Sequence, residues 1–416
     1  QRIEGSLSRP APRQGRRTRR MGVTLTVGKL VIIANPYPWV NQRGGASSED
    51  MEVLLENLRG LGADEIHWEV IRNHALYPTE VGEILPASAD WPGDAPMSTF
   101  AHEVDPFGGD VVPLICMNRH YHGDVRTFLQ TAWAADRWHL LASTVEGKRL
   151  GNGHIMDHLW AEVESHSIAL LKEVRSRSTG LVHLDFTRGT SLVGFGPPLR
   201  KAWAALMGGE HDLDVLIEVA NGAANEEGSP FTPWDELPDG VAELRCRLSQ
   251  RLVERMLAGA GLEAKDVHIR ALLRESAWMR TQYGFDLESW IDSSLASTFS
   301  FHNEWVHGED CEWWSLQPLS ALVNRCHGRR LQCLASVDWH GTGLLRKLPV
   351  PDETDPHHVA SSLPPRTSDP DLVALHGWAT EAVAAGVDGL MLYDGHLGLG
   401  GEGLATICAD IKALFD

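Results

Sequence analysis

The sequence holds no CxxC pair and no regular cysteine framework. Its six cysteines stand at 116, 246, 311, 326, 333 and 408. That spacing excludes a zinc ribbon and a disulfide-stapled scaffold. It fits buried thiols of an intracellular protein, with a Cys311–Cys326 bridge in a secreted form as the alternative. No run approaches the roughly 18 apolar residues of a membrane span, so no membrane partner is expected. Positive charge is scarce: 37 Lys and Arg stand against 56 Asp and Glu, a formal net charge of -19. Phosphate recognition needs a basic surface, and nucleic acid is thereby excluded as a partner. No fixed-period repeat is found. The one basic concentration, "RPAPRQGRRTRR", precedes Met21 and has no apolar signal core behind it. Residues 1–28 are expected to be a disordered basic extension outside the fold, with an organelle-targeting or anionic-surface segment as the alternative. The remainder, 29–416, is expected to form one catalytic domain of a soluble, cytoplasmic protein.

What is present is an alternation of short apolar strands and amphipathic helices. Strands are read at 29–37, 63–70, 110–118, 181–186, 266–273, 296–302, 331–339 and 386–395. A helix over 49–62 carries Met51, Leu54, Leu55 and Leu58 on one face and ends at a glycine. Another runs near 157–174, and "EGLATICADIKALF" closes the chain. Eight such strands define a (β/α)8 TIM barrel with long βα loops, rather than an open sheet. The proline-rich stretch that begins "PVPDETDPHH" is then the loop after the seventh strand, not a linker.

In such a barrel, side chains alternate between the helix layer and the lumen, and chemistry sits at the C-terminal strand ends. "GLVHLDFTRG" therefore sends Val182, Leu184 and Phe186 outward and His183 and Asp185 inward. "IHWEV" repeats the grammar, with Ile66, Trp68 and Val70 outward and His67 and Glu69 inward. The same parity places Asn35, Glu69, Asn118, Asp185, Arg270, His302, Asp338 and Asp394 at or near the inner rim, one per strand, all polar. Carboxylates, amides, an arginine and a histidine in one ring suit hydroxyl binding and acid/base work on a C–O bond.

A resemblance supports that reading. "VVPLICMNRHYHG", "TAWAADRWHLLAS" and "MDHLWAEVESHSIALLKEV" leading into "GLVHLDFTRG" resemble the bacterial glycosyl-hydrolase-like (family-10-like) barrel proteins. "YGFDLESWIDSSLASTF" resembles their helix after strand five. The likeness spans about 110–300, with an echo in "AAGVDGLMLYDG". Two departures stand out. The arginine before the family's Met-Asn is Cys116 here, and its Asp-Gly-Ile-Glu segment has become Thr179 to His183, while Asp185, Phe186 and Arg188 keep their places. The resemblance implies a carbohydrate substrate and a glycoside hydrolase of unspecified linkage.

Glycoside hydrolysis needs two carboxylates astride the scissile bond. Asp185 is the first choice for the ionised member, with Arg188 and Arg270 as neighbouring cations. The acid is expected from Asp338, desolvated by Trp339, or from Glu69 or Glu304. Asn35, Asn118, His120, His122, Arg188, Arg270, His302, Glu304, Trp305, Trp339 and Asp394 are the expected substrate-binding residues. Tryptophans 39, 234, 305, 313, 314 and 339 fall in presumed βα loops, where indole faces suit sugar rings. No cofactor and no metal are called for. "GLGGEG" (398–403) fits G-x-G-x-x-G but follows the last strand, which excludes a dinucleotide fold. "HYH" (120–122) leaves a metal-dependent barrel hydrolase as one alternative. A non-catalytic carbohydrate-binding relative is the other.

Overall fold

The β-branched and apolar runs of the sequence become the wall of a closed parallel barrel in strand order β1 to β8. This is a computed structural model, and it describes residues 28–34, 48–71, 74–83, 110–117, 131–135, 137–140, 156–187, 191–207, 239–303, 316–338, 369–394 and 402–415. The strands are β1 (Lys29–Ala34), β2 (Glu65–Ile71), β3 (Val111–Cys116), β4 (Val182–Asp185), β5 (Val267–Leu272), β6 (Thr298–Asn303), β7 (Gln332–Asp338) and β8 (Gly389–Asp394). Each lies within one residue of, or inside, its expected range. The main helices are α1 (Ser48–Gly60), α2 (Ala161–Arg177), α3 (Pro197–Met207), α4 (Asp239–Ala260), α5 (Leu287–Asp292), α6 (Gln317–Gly328), α7 (Asp369–Ala384) and α8 (Glu402–Ala413). The chain is a (β/α)8 barrel.

Alternation along the strands builds two cores. Ile66, Trp68, Val70, Val182, Leu184 and Phe186 pack outward into the large cluster beneath the helices, as parity required. Within it the Phe186 ring meets Phe285 at 5.7 Å and Trp290 at 5.4 Å, both edge-on, and such pairs add about 0.5–1.5 kcal/mol beyond their burial. A separate cluster of Val31, Ile33, Leu114, Cys116, Leu334, Met391 and Tyr393 fills the lumen. On β8 the inner row is thus Met391 and Tyr393, while Leu390 and Leu392 belong to the outer core. The side chain of Asp394, the last residue of β8, lies outside the described residues. The same holds for the side chain of Asp338, which ends β7 after the inward Leu334 and Ser336. The ladder between β2 and β3 shifts register between Glu69 and Ile71. Glu69 stands ahead of that shift and keeps its inward parity.

Closure at the β1–β8 seam depends on a glycine. A Cβ at Gly389 would lie 2.5 Å from the Lys29 carbonyl oxygen and 2.9 Å from Leu334 Cδ2. Cys116, Cys246, Cys326, Cys333 and Cys408 are buried thiols. Buried thiols were expected; a free Cys326 stands against the Cys311–Cys326 bridge. Among the described residues no helix is long and apolar enough to cross a membrane.

Candidate active site in the upper lumen

The inward residues near the C-terminal strand ends form a continuous polar arc. Asp185, fully buried on β4, accepts two bonds at Oδ1: from the Thr187 amide at 3.0 Å and the Thr187 hydroxyl at 2.7 Å. Its Oδ2 receives Arg270 Nη1 from β5 at 3.2 Å, in an ion pair 1% and 0% exposed. Arg270 spends its fork on several strands at once. Nε donates to Ser336 Oγ on β7 at 3.0 Å, Nη1 also to Thr187 Oγ1 at 3.3 Å, and Nη2 to His302 Nδ1 on β6 at 2.8 Å. A guanidinium has no acceptor, so His302 Nδ1 takes that bond as a lone pair. The Arg270 guanidinium also sits 5.2 Å over the Tyr393 ring of β8, a cation–π contact in a dry site.

On the other flank of Asp185 stands β3. The Cys116 thiol donates to Glu69 Oε1 on β2 at 3.3 Å and lies 4.0 Å from Asp185 Oδ2. Two buried carboxylates, two strands apart, therefore flank one sulfur. The arc runs Glu69, Cys116, Asp185, Arg270, His302, Ser336, Tyr393, one contribution from each strand β2 to β8. Buried charge is costly unless paired and bonded, and the Asp185–Arg270 pair satisfies that condition through four neighbours.

Of the residues expected from sequence, Glu69, Asp185, Arg270 and His302 are brought together here. Asp338 ends β7 two residues beyond Ser336. Asn35, Asn118, His120, His122, Arg188, Glu304, Trp305 and Trp339 lie outside the described residues, as do Trp39, Trp234, Trp313, Trp314 and most of "GLGGEG". Sequence reasoning missed Cys116, Thr187, Ser336 and Tyr393 as members of the arc. Parity alone would have found Ser336, since it shares a face with Asp338, and Cys116 was already visible as the residue replacing an arginine.

Below the arc, two residues earlier on the same strands, β2, β4 and β5 carry His67, His183 and His268, all buried. Burial pushes all three imidazoles below their ordinary range, and Arg270 adds to the effect as a nearby cation. A cavity of about 530 Å³ lies elsewhere, against Arg274, Glu288, Gln317 and Arg325, and none of the arc residues lines it.

No protein-family model matches the chain, and no curated protein matches it. Solved structures do. The chain aligns over 92% of its length with the β-galactosidase of the psychrophilic Marinomonas ef1, at TM-score 0.51 and 12% identity, and spans 59% of that protein. It aligns over 88% of its length with 92% of the β-amylase catalytic domain of Paenibacillus polymyxa, at TM-score 0.47 and 10% identity. It aligns over 93% of its length with 75% of a Bacteroides ovatus GH5 xyloglucanase, at TM-score 0.41 and 11% identity. At such identities the first of these establishes likeness of fold. The class defined here is a (β/α)8 barrel with a charged, hydrogen-bonded arc across its upper lumen.

Proposed function

We propose that the chain is a glycoside hydrolase related to the family-10-like barrel proteins, acting on a carbohydrate through Asp185 and Glu69. The observation that carries this reading is the placement of both carboxylates against the Cys116 sulfur, at 3.3 and 4.0 Å, near the C-terminal strand ends. Asp185, fixed by Arg270 and Thr187, is the ionised nucleophile or base. Glu69, facing a thiol, is the acid, with Asp338 as the second candidate for that role. In the reaction the acid gives its proton to the glycosidic oxygen as the C–O bond breaks. The ionised carboxylate either attacks the anomeric carbon or takes a proton from the attacking water. His302 and the amides Asn35 and Asn118, with His120 and His122, are assigned to the sugar hydroxyls.

The test is a panel of aryl glycosides and polysaccharides assayed with the wild type, Asp185→Asn and Glu69→Gln. Each variant should lose at least a hundredfold in kcat/KM, as expected for removal of a catalytic group. Oligosaccharide binding by calorimetry should survive. Full activity in Asp185→Asn overturns the assignment. A wild type that binds sugar but releases no reducing ends is a binding relative instead.

A further inference from the structure

We propose that His67, His183 and His268 form a binding site for one divalent transition-metal ion of the zinc or cobalt class, in the floor of the barrel and separate from the carboxylate arc. One ring nitrogen of each residue lies within 4.8 Å of those of the other two. The three side chains enter the lumen from β2, β4 and β5 and are 0%, 0% and 1% exposed. Neutral imidazole is the ligand such ions favour.

The hydrogen bonds around the rings define which nitrogens are offered. Glu65 Oε2 lies 3.3 Å from His67 Nε2, and a carboxylate only accepts, so that nitrogen carries the proton. His67 Nδ1 is then a lone pair, and it stands 2.6 Å from His183 Nδ1. His268 Nε2 lies 2.8 Å from Ser300 Oγ. A carboxylate behind one imidazole and a hydroxyl behind another is the outer shell that orients metal-binding histidines. In the metal-free state His183 Nδ1 must donate to His67; coordination through that Nδ1 puts the His183 imidazole in its other tautomer, with the proton on Nε2.

Coordination requires a small rearrangement. The His183 and His268 rings are stacked, with centroids 4.3 Å apart and planes 1° from parallel, and His67 stands edge-on to both. Two parallel rings cannot both aim at one ion, so one must tilt about its terminal torsion, which is soft. The facing Nδ1 atoms must part to about 3.3 Å for metal–nitrogen bonds near 2.0–2.1 Å. The charged groups facing the cluster are Glu65 and Lys29, already paired with each other, and Arg270 above, paired with Asp185.

The experiment uses the full chain, grown with cobalt and separately refolded with cobalt, then desalted. The expected result is one retained equivalent of Co²⁺, the visible absorption of a tetrahedral nitrogen site and a raised thermal midpoint. His183→Asn and His268→Asn should lose all three. His74→Asn, at a buried histidine elsewhere, and Asp185→Asn should keep them. Retention in Asp185→Asn separates this site from the catalytic reading, whatever the activity. Should the histidine variants fail to fold, ¹⁵N-histidine NMR of the wild type with Zn²⁺ decides: three imidazoles shift together if the site exists. No cobalt retained by folded wild type, cobalt retained by His183→Asn, or unmoved imidazole signals each overturn the proposal.

Discussion

Replacing Arg270 by Met tests whether the arc is one electrostatic unit. Met keeps much of the apolar stem and removes every donor: the bonds to Ser336, Asp185, Thr187 and His302, and the contact over Tyr393. Asp185 would stay fully buried and keep its bonds from the Thr187 amide and hydroxyl. Breaking a buried ion pair from one side costs about 3–5 kcal/mol, mostly for the charge left behind. Adding Asp185→Asn removes that charge while the amide oxygen still accepts from Thr187. The double variant should therefore recover part of the loss, giving a coupling energy of about 1–3 kcal/mol. The assay is the denaturant midpoint of the wild type, both single variants and the double, compared where the slope is unchanged. Additivity within about 0.5 kcal/mol would mean that the two groups do not sense each other, and the arc would be a set of separate contacts.

Two further outcomes follow from the fold. Burial raises the Asp157 carboxyl to about 6, against the downward pull of the Leu159 and Gly194 amides and Arg245. The folded state then holds that proton more tightly than the unfolded chain, so its contribution is full below about pH 4 and is lost as pH rises through 6, on the order of 3 kcal/mol. Asp157→Asn should flatten stability between pH 4 and 7, and an unchanged slope would count against the assignment. Gly389→Ala should cost about 1–3 kcal/mol in unfolding free energy, because its Cβ would press on the Lys29 carbonyl across the β1–β8 seam. A midpoint equal to the wild type would show that the seam can relax.

Much of the fold was legible because strand period and barrel topology reinforce one another. "VHLDF" and "IHWEV" carry their outer and inner faces in plain alternation, and the structure seats Phe186 and Trp68 outside and Asp185 and Glu69 inside. Strand eight was harder: "GLMLY" is apolar on both faces, so nothing in its pattern separates the row of Met391 and Tyr393 from that of Leu390 and Leu392. Only the register against β1, which sets Ile33 beside Tyr393, fixes the inner row. Partnerships were less legible than positions. No spacing rule says that Arg270 reaches Ser336, 66 residues away, because barrel closure makes that contact and sequence separation does not. The histidine trio shows the same limit, since His67 and His183 are 116 residues apart and meet only when β2 and β4 curve around a shared lumen.

Cys116 gives the arc its asymmetry. At the position where the family-10-like pattern that the sequence resembles has an arginine, a thiol lies between the two carboxylates. Arg270 accordingly gives its Nη1 to Asp185, while Glu69 receives a sulfhydryl at 3.3 Å. A thiol is a weaker donor than a guanidinium and carries no charge. Two carboxylates in unequal surroundings are what divides acid from base at a single site. The roles proposed for Asp185 and Glu69 rest on Arg270 being paired with Asp185.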